Sequence, residues 1–435
     1  MSLFTLGVLG IFLLLLLLLL SMPVGFALTV VGCVGFAMII HNPVGAFHML
    51  VSVNYETFSK YDLSVIPLFI LMGQVSFHAG ISRRLFDAAY RWLGRLPGGL
   101  GVATTGACAA FGAICGSGPA TAATIASVAL PEMRRHKYHL GMGAGLIAAG
   151  GSLGMLIPPS VVFIVYGIMT ELSPATLFMA GVVPGLVLTG LFALYCLGLC
   201  TLRPEMGPPA APCSWGERFR SLLGIMETAL LFLVVMGGMF IGWFTPTEAA
   251  AVGAAGGIII ALCRRALSWK ALVRSLMETI RVSTMVLIII AGALVFGRFL
   301  ALTRLPSELA STLTTMAVPA WVTMALILFF YLVAGCLVDA LALVLLTIPI
   351  FFPVVKALQY DPVWFGVMVV LVVQMGVITP PVGVNVYVVS GIDRRIPLQA
   401  IFRGAAPYVL ILILMCALMM LFPDLALALP RYLAR

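Results

Sequence analysis

The sequence predicts an all-α integral membrane protein. It reads as an inverted repeat of membrane spans carrying two re-entrant helical hairpins, two broken transmembrane helices and interfacial arm helices. Three observations predict this. Apolar residues make up 62% of the 435 positions and charged residues 9%, against roughly 45–50% and 25% in a soluble domain. Several apolar runs reach the ~20 residues needed to cross a bilayer as a helix. The landmarks of the first half also recur in the second at an offset of about 222 residues.

The chain has room for roughly ten to twelve spans and almost no extramembrane domain. Its net charge of +9 would suggest nucleic acid in a soluble protein. Here it fits loop Lys and Arg residues that orient the chain in a membrane, so no nucleic-acid partner is expected. The nine cysteines lie mostly inside apolar runs, and no C-x-x-C occurs. They read as small packing residues, with no disulfide and no transition-metal centre. No cofactor is expected. The N-terminal stretch MSLFTLGVLGIFLLLLLLLLSM lacks a basic n-region and an A-x-A site, so it reads as a retained first span and not a cleaved signal.

Apolar runs bounded by charge, Pro or Gly give spans at 3–21, 23–40, 63–80, 175–200, 222–243, 246–263, 283–300 and 398–422. Between them lie two hairpin-like pairs, 99–131 and 320–353, and two broken runs, 140–170 and 363–391. At the constant offset Pro23 meets Pro246, Pro131 meets Pro353, and Pro158-Pro159 meets Pro380-Pro381. Residues 1–221 and 222–435 therefore read as two copies of one unit. If each hairpin enters and leaves by one face, each copy makes five crossings, and an odd number inverts the second copy.

The charges agree. With the N-terminus outside, Arg83, Arg84, Arg91, Arg95, Arg134, Arg135, Lys137, Arg203, Arg218 and Arg220 fall inside. So do Arg264, Arg265, Lys270, Arg274, Arg281, Arg394, Arg395 and Arg403, making 18 of the 24 Lys and Arg. Lys60, Arg298, Arg304, Lys356, Arg431 and Arg435 fall outside or near it. Two basic amphipathic stretches, 81–96 and 264–281, read as paired interfacial arms on the inner side.

The chemistry concentrates at the interruptions. The first hairpin centres on Gly116-Ser117-Gly118-Pro119-Ala120-Thr121, where Pro119 suits the first turn of a new helix. A helix that stops and restarts at mid-depth points free carbonyls one way and helix-start amides the other. The carbonyls suit a small cation and the amides an anion. Close packing by small residues is the plainer reading of the same stretch. The second hairpin centres on Asp339, an acidic residue at membrane depth, where a charge costs roughly 2.5–3.5 kcal/mol. It suits cation binding, proton carriage, tip orientation or an ion pair with Arg298. Gly150, Gly151, Ser152, Gly154, Pro158, Pro159 and Ser160 break one helix beside the first tip. Gly376, Thr379, Pro380, Pro381, Gly383 and Asn385 break another beside the second. Irregular backbone survives in a membrane only where protein or a polar cavity satisfies it, so two tips and two breaks are expected to enclose one central site. No H-E-x-x-H, G-x-S-x-G, P-loop or Cys/His cluster occurs, and the chain does not read as an enzyme.

Four of these stretches, FTPTEAAAVGA (244–254), GSGPATAATIA (116–126), GMLIPPSVVFIVYG (154–167) and TPPVGVNVYV (379–388), resemble the large membrane subunit of tripartite ATP-independent periplasmic (TRAP) transporters. The resemblance covers essentially the whole chain. It implies sodium-coupled uptake of a carboxylate-containing organic acid across a bacterial or archaeal inner membrane, by elevator motion of a transport domain against a scaffold. It implies a periplasmic substrate-binding protein and a small four-helix membrane subunit as partners. No four-span block stands before residue 1, so that subunit is expected as a separate chain. By the same resemblance sodium would be held by Gly116, Ser117, Gly154 and Pro158 on one side and by Asp339, Gly376, Thr379 and Asn385 on the other. The substrate would meet Ser117, Gly118, Ala120, Thr121, Pro159, Pro380 and Pro381. The alternative is a sodium/dicarboxylate-type symporter of related inverted-hairpin fold that works without a binding protein.

Overall fold

The computed structural model describes residues 2–209, 213–315 and 319–433, so Arg435 lies outside the described residues. Among them the regular structure is entirely helical.

The chain opens with helices α1 (Leu3–Leu19), α2 (Val24–Ile40), α3 (Pro43–Ser59), α4 (Val65–His78) and α5 (Ile81–Leu93). Local signals set their ends. The Ser2 hydroxyl accepts from Thr5 N–H to cap α1, and Asn42 caps α3 through Gly45 N–H, each meeting a donor that the first turn leaves unpaired. The sequence reading did not anticipate α3, because His48, Asn54 and Glu56 interrupt its apolar pattern. The arm expected at 81–96 is α5. It turns 66° away from the segment before it and buries Ile81, Phe86 and Ala88.

Next come α6 (Gly99–Cys115), α7 (Gly118–Arg135), α8 (Leu140–Leu156), α9 (Val161–Thr170) and α10 (Pro174–Leu202). The expected first hairpin is α6–α7, and its direction follows from contacts with α8. Along α6, Gly101, Gly112 and Cys108 lie against Leu146, Gly154 and Gly150, so the two helices run in parallel. Along α7, Gly118, Ala122 and Met133 lie against Met155, Gly151 and Gly143, so that helix runs back. The hairpin thus begins and ends at the same end of α8. Glycines make the approach this close: a Cβ on Gly112 would stand 2.7 Å from the Gly154 Cα. Helix α8 is buried on every face, and it breaks at 157–160 before α9 resumes.

The central stretch holds α11 (Trp215–Leu223), α12 (Met226–Ile241), α13 (Pro246–Cys263), α14 (Trp269–Thr303) and α15 (Leu305–Thr315). A capping box of Thr245 and Glu248 starts α13. Here the structure corrects the sequence reading. The stretch 264–281 is not a separate arm, because α14 begins within it at Trp269 and runs on through the span at 283–300, 35 residues without interruption. No Pro or Gly stands between Trp269 and Gly292, so nothing local stops the helix. The short helix at the repeat offset from α5 is α15.

The last part comprises α16 (Ala320–Gly335), α17 (Ala340–Ala357), α18 (Pro362–Gly376), α19 (Val384–Ile392), α20 (Leu398–Leu421) and α21 (Asp424–Leu433). Helices α16 and α17 form the second expected hairpin. Across it the Thr347 hydroxyl donates to Tyr331 Oη at 2.6 Å, and the Phe351 and Tyr331 rings lie 5.7 Å apart. The second break covers 377–383, between α18 and α19. Thus helix–tip–helix, helix–break–helix and a long closing helix occur in the same order in each half.

Two groups of helices emerge. In one, α2 packs along α14, and α4 along α13 and α14. In the other, α8 is wrapped by α6, α7 and α20, while α18 packs on α16 and α20. The first group already joins the two halves, and in the second group side-chain hydrogen bonds do so as well. Tyr166 Oη donates to Pro362 O at 2.6 Å, and Asn385 Nδ2 donates to Ala148 O at 2.9 Å. Arg134 pairs with Asp393 and Arg264 with Glu227, and Tyr90 Oη meets His136 Nε2. Lys60, Asp62, Glu171 and Thr245 line a different recess of about 630 Å³.

Candidate binding site between the hairpin tips

The first tip is built by backbone. Gly116 closes α6 with φ +65°, and a Cβ there would stand 2.7 Å from Pro159 O, so only glycine fits without strain. Its carbonyl accepts from Val161 N–H at 3.4 Å, which ties the tip to the first break. Ser117 then occupies the N-cap position of α7, with no hydrogen bond from its side chain to the first turn. Thr121 is fully buried, and its hydroxyl donates to Ser117 O at 2.7 Å. The Gly118 and Ala120 N–H groups belong to the first turn of α7, where helices have unpaired donors.

The second tip is built differently. Asp339 caps α17, its carboxylate accepting from Leu341 N–H at 3.1 Å. Gly335 and Gly376 meet backbone to backbone: a Cβ on Gly376 would collide with the Gly335 carbonyl carbon, so position 376 has no room for a side chain. Val382 N–H donates to Cys336 O at 3.3 Å, which ties this tip to the second break.

Both tips open onto one cavity of about 300 Å³. Its lining includes Gly116, Ser117, Gly118, Pro119 and Ala120 from the first tip and Asp339, Ala340 and Leu341 from the second. Met155, Val161 and Val162 flank it from the first broken helix, and Ile70, Gln74, Val282 and Met285 close it from α4 and α14. Two helix N-termini therefore converge on a mostly apolar chamber. At α17 a carboxylate already faces the positive end of the helix. At α7 the positive end carries a neutral serine and glycine instead. The arrangement offers oxygen ligands and a negative charge to a cation at one tip, and helix-start amides to an anion at the other.

Of the sequence-predicted residues, the cavity gathers Gly116, Ser117, Gly118, Ala120 and Asp339. Thr121 and Gly154 stand directly behind the first tip: a Cβ on Gly154 would lie 2.8 Å from Thr121 Oγ1 and 3.1 Å from Ser117 O. Pro158 belongs to the break itself, where Ser160 Oγ donates to Met155 O. Pro159 faces a neighbouring apolar recess with Met72, Ile114 and Phe232. The second break lies further off. Pro380 and Pro381 are exposed and do not line the chamber. The Thr379 hydroxyl donates to Met375 O at 2.6 Å. Gly376 packs against Gly335, and Asn385 anchors α19 on α8. The two tips and the first break thus converge, while the second break braces the second tip from behind.

Sequence reasoning passed over two glutamines. Gln74 lines the chamber from α4. Gln374, in the last turn of α18, is fully buried, and neither its amide nitrogen nor its amide oxygen has a hydrogen-bond partner; the Asn385 Oδ1 is likewise unpartnered. A lone Gln in an apolar run was the available signal for both.

A helical membrane body whose paired hairpin tips meet at an internal, mostly apolar chamber defines a membrane transport permease. The profile of the tripartite ATP-independent periplasmic transporter family, DctM component, matches residues 11–425, and the chain belongs to this family as its large membrane subunit. The C4-dicarboxylate TRAP transporter large permease protein DctM of Pseudomonas aeruginosa is 37% identical over 381 residues, 87% of this chain and 88% of that protein. The sialic acid TRAP transporter large permease protein SiaM of Vibrio cholerae is 35% identical over 416 residues, 94% of this chain and 95% of that protein. These relatives are permeases and not enzymes. Among solved structures, the YdaH transporter of Alcanivorax borkumensis shares the fold, with a TM-score of 0.59 at 15% identity over 90% of this chain and 89% of that one.

Proposed function

We propose that the protein carries a carboxylate-containing organic acid inward across the inner membrane, coupled to sodium, by elevator motion of the α8-centred group of helices against the group containing α2, α4, α13 and α14. The observation that supports this reading is that Asp339 and the N-terminus of α7 share one chamber, a carboxylate suited to a cation beside a helix start suited to an anion. Gly116, Ser117, Gly154 and Pro158 supply backbone and hydroxyl oxygens for one sodium ion, and Asp339, Gly376, Thr379 and Asn385 for another, the hard-cation preference being for oxygen. The substrate carboxylate faces Ser117, Gly118, Ala120 and Thr121.

The names of the relatives support the substrate class, since C4-dicarboxylate and sialic acid both carry carboxylates. Two partners follow from the same reading: a periplasmic substrate-binding protein, and a small four-helix membrane subunit as a separate chain. An isethionate TRAP transporter permease protein DctMQ from Oleidesulfovibrio alaskensis, 35% identical over 349 residues, is a longer chain of which this protein spans 54%. With the basic residues inside, the N-terminus is periplasmic, and the recess bearing Lys60, Asp62 and Glu171 faces the periplasm.

The test is uptake in proteoliposomes reconstituted with the small subunit and the binding protein. Uptake of a dicarboxylate or sialate is expected to require an inward sodium gradient and the binding protein together. Uptake without the gradient removes the coupling. Sodium-driven uptake without the binding protein favours the autonomous symporter.

A further inference from the structure

A second cleft lies away from the chamber, between α5 and α11. Its volume is about 390 Å³, and Arg84, Asp87 and Arg91 of α5 face Glu217, Arg220 and Ser221 of α11 across it. Among the described residues, none of the three arginines has a carboxylate within 4 Å. Glu217 is already engaged: its carboxylate accepts from Ser214 N–H at 3.0 Å, from Ser214 Oγ at 3.1 Å and from the Cys213 thiol at 3.0 Å. Partial burial raises the Asp87 carboxyl above its usual range, which disfavours its charge. Burial first, and then the neighbouring Arg264 guanidinium, lower Arg84 below its ordinary value against the opposing pull of Glu227. The cleft therefore sets three guanidiniums against two carboxylates, Asp87 and Glu217, and its lining is net positive.

Its surroundings are apolar and exposed. Trp215, Phe219 and Leu223 project from α11, and Met226 and Leu230 continue the exposed apolar face along α12. Trp215 also carries the Arg218 guanidinium 4.9 Å above its ring. Basic residues beside exposed aromatic and aliphatic side chains, at the end of membrane helices, match the layered chemistry of a phospholipid: phosphate at one level, acyl chain at the next.

We propose that the α5–α11 cleft binds the phosphate of an anionic phospholipid, with guanidiniums from Arg84, Arg91 and Arg220 around the headgroup and its acyl chains along the exposed faces of α11 and α12. The lipid joins an arm of the first half to the short helix at the junction of the two halves. It is a structural ligand, independent of which acid the chamber carries.

The test uses the full chain purified in zwitterionic detergent and titrated with phosphatidylglycerol or phosphatidylcholine under native mass spectrometry. Phosphatidylglycerol is expected to bind and phosphatidylcholine not to. Each of Arg84→Gln, Arg91→Gln and Arg220→Gln is expected to weaken phosphatidylglycerol binding about fivefold, while Arg298→Gln, far from the cleft, leaves it unchanged. Equal binding of the two lipids, or wild-type binding by the triple variant, overturns the proposal. Displacement of the lipid by inorganic phosphate at matching concentration also overturns it, since the site then takes free phosphate. Should the triple variant fail to fold, Arg220→Gln on the exposed α11 decides by the same fivefold criterion.

Discussion

Ser117 and Asp339 stand at the tips of two different hairpins and line the same chamber of about 300 Å³. Each follows a helix that ends inside the protein, and each occupies the N-cap of the next one. One is neutral and the other acidic. That asymmetry suits a single chamber to opposite charges.

Asp339→Asn separates charge from structure. Asparagine caps a helix about as well as aspartate, so the bond from Leu341 N–H survives and the variant should melt at the wild-type temperature. Loss of a charged ligand is worth about 1.5–3 kcal/mol, so the sodium concentration for half-maximal uptake should rise roughly tenfold or more. A wild-type sodium response at normal expression would remove Asp339 from the cation site.

Ser117→Ala removes one neutral hydroxyl whose side chain does not cap α7. The expected effect is a threefold to tenfold rise in the sodium or substrate requirement, matching about 0.5–1.5 kcal/mol for one hydrogen bond. Stability should be unchanged within thermal-melt error.

Gly154→Val tests the packing behind the first tip. The added carbon atoms meet Thr121 Oγ1, the Gly112 Cα and Ser117 O in a space with no slack. Overpacking of this kind costs about 1–3 kcal/mol, and thermal unfolding in detergent should show a clear drop in melting temperature. Gly190→Val, where open space surrounds the glycine, is the control and should melt as the wild type does.

Much of this architecture could be read from residues. Helices stand at the eight expected apolar runs, and they, both hairpins and both Pro-Pro breaks follow from apolar length and helix-breaking residues, which act locally. What depended on tertiary surroundings was not legible. Helix α3 carries Asn54 and Glu56 in an otherwise apolar run, and a span threshold passes over it. Residues 264–281 resemble α5 in composition, yet the helix continues through them for want of a stop signal. The pattern marks Pro380-Pro381 as a break, but not the side it faces, and the structure turns it outward. Gln374 lies six residues before that break; only packing reveals that its amide has no partner.

Gln374→Leu should therefore raise thermal stability, because an unpartnered buried amide costs about 1–3 kcal/mol and leucine removes it at similar volume. If the amide serves the transported ions or their passage, uptake should fall in the same variant. A gain in stability with wild-type uptake would make Gln374 a bystander.

The central claim is that both hairpin tips act on one site, and a double-mutant cycle on sodium-driven uptake tests it most directly. Wild type, Ser117→Ala, Asp339→Asn and the double variant are compared at limiting substrate in proteoliposomes. A shared site predicts that the two losses do not add, with a coupling of about 0.5–3 kcal/mol, whereas independent sites add within about 0.3–0.5 kcal/mol. Additive losses would contradict the account.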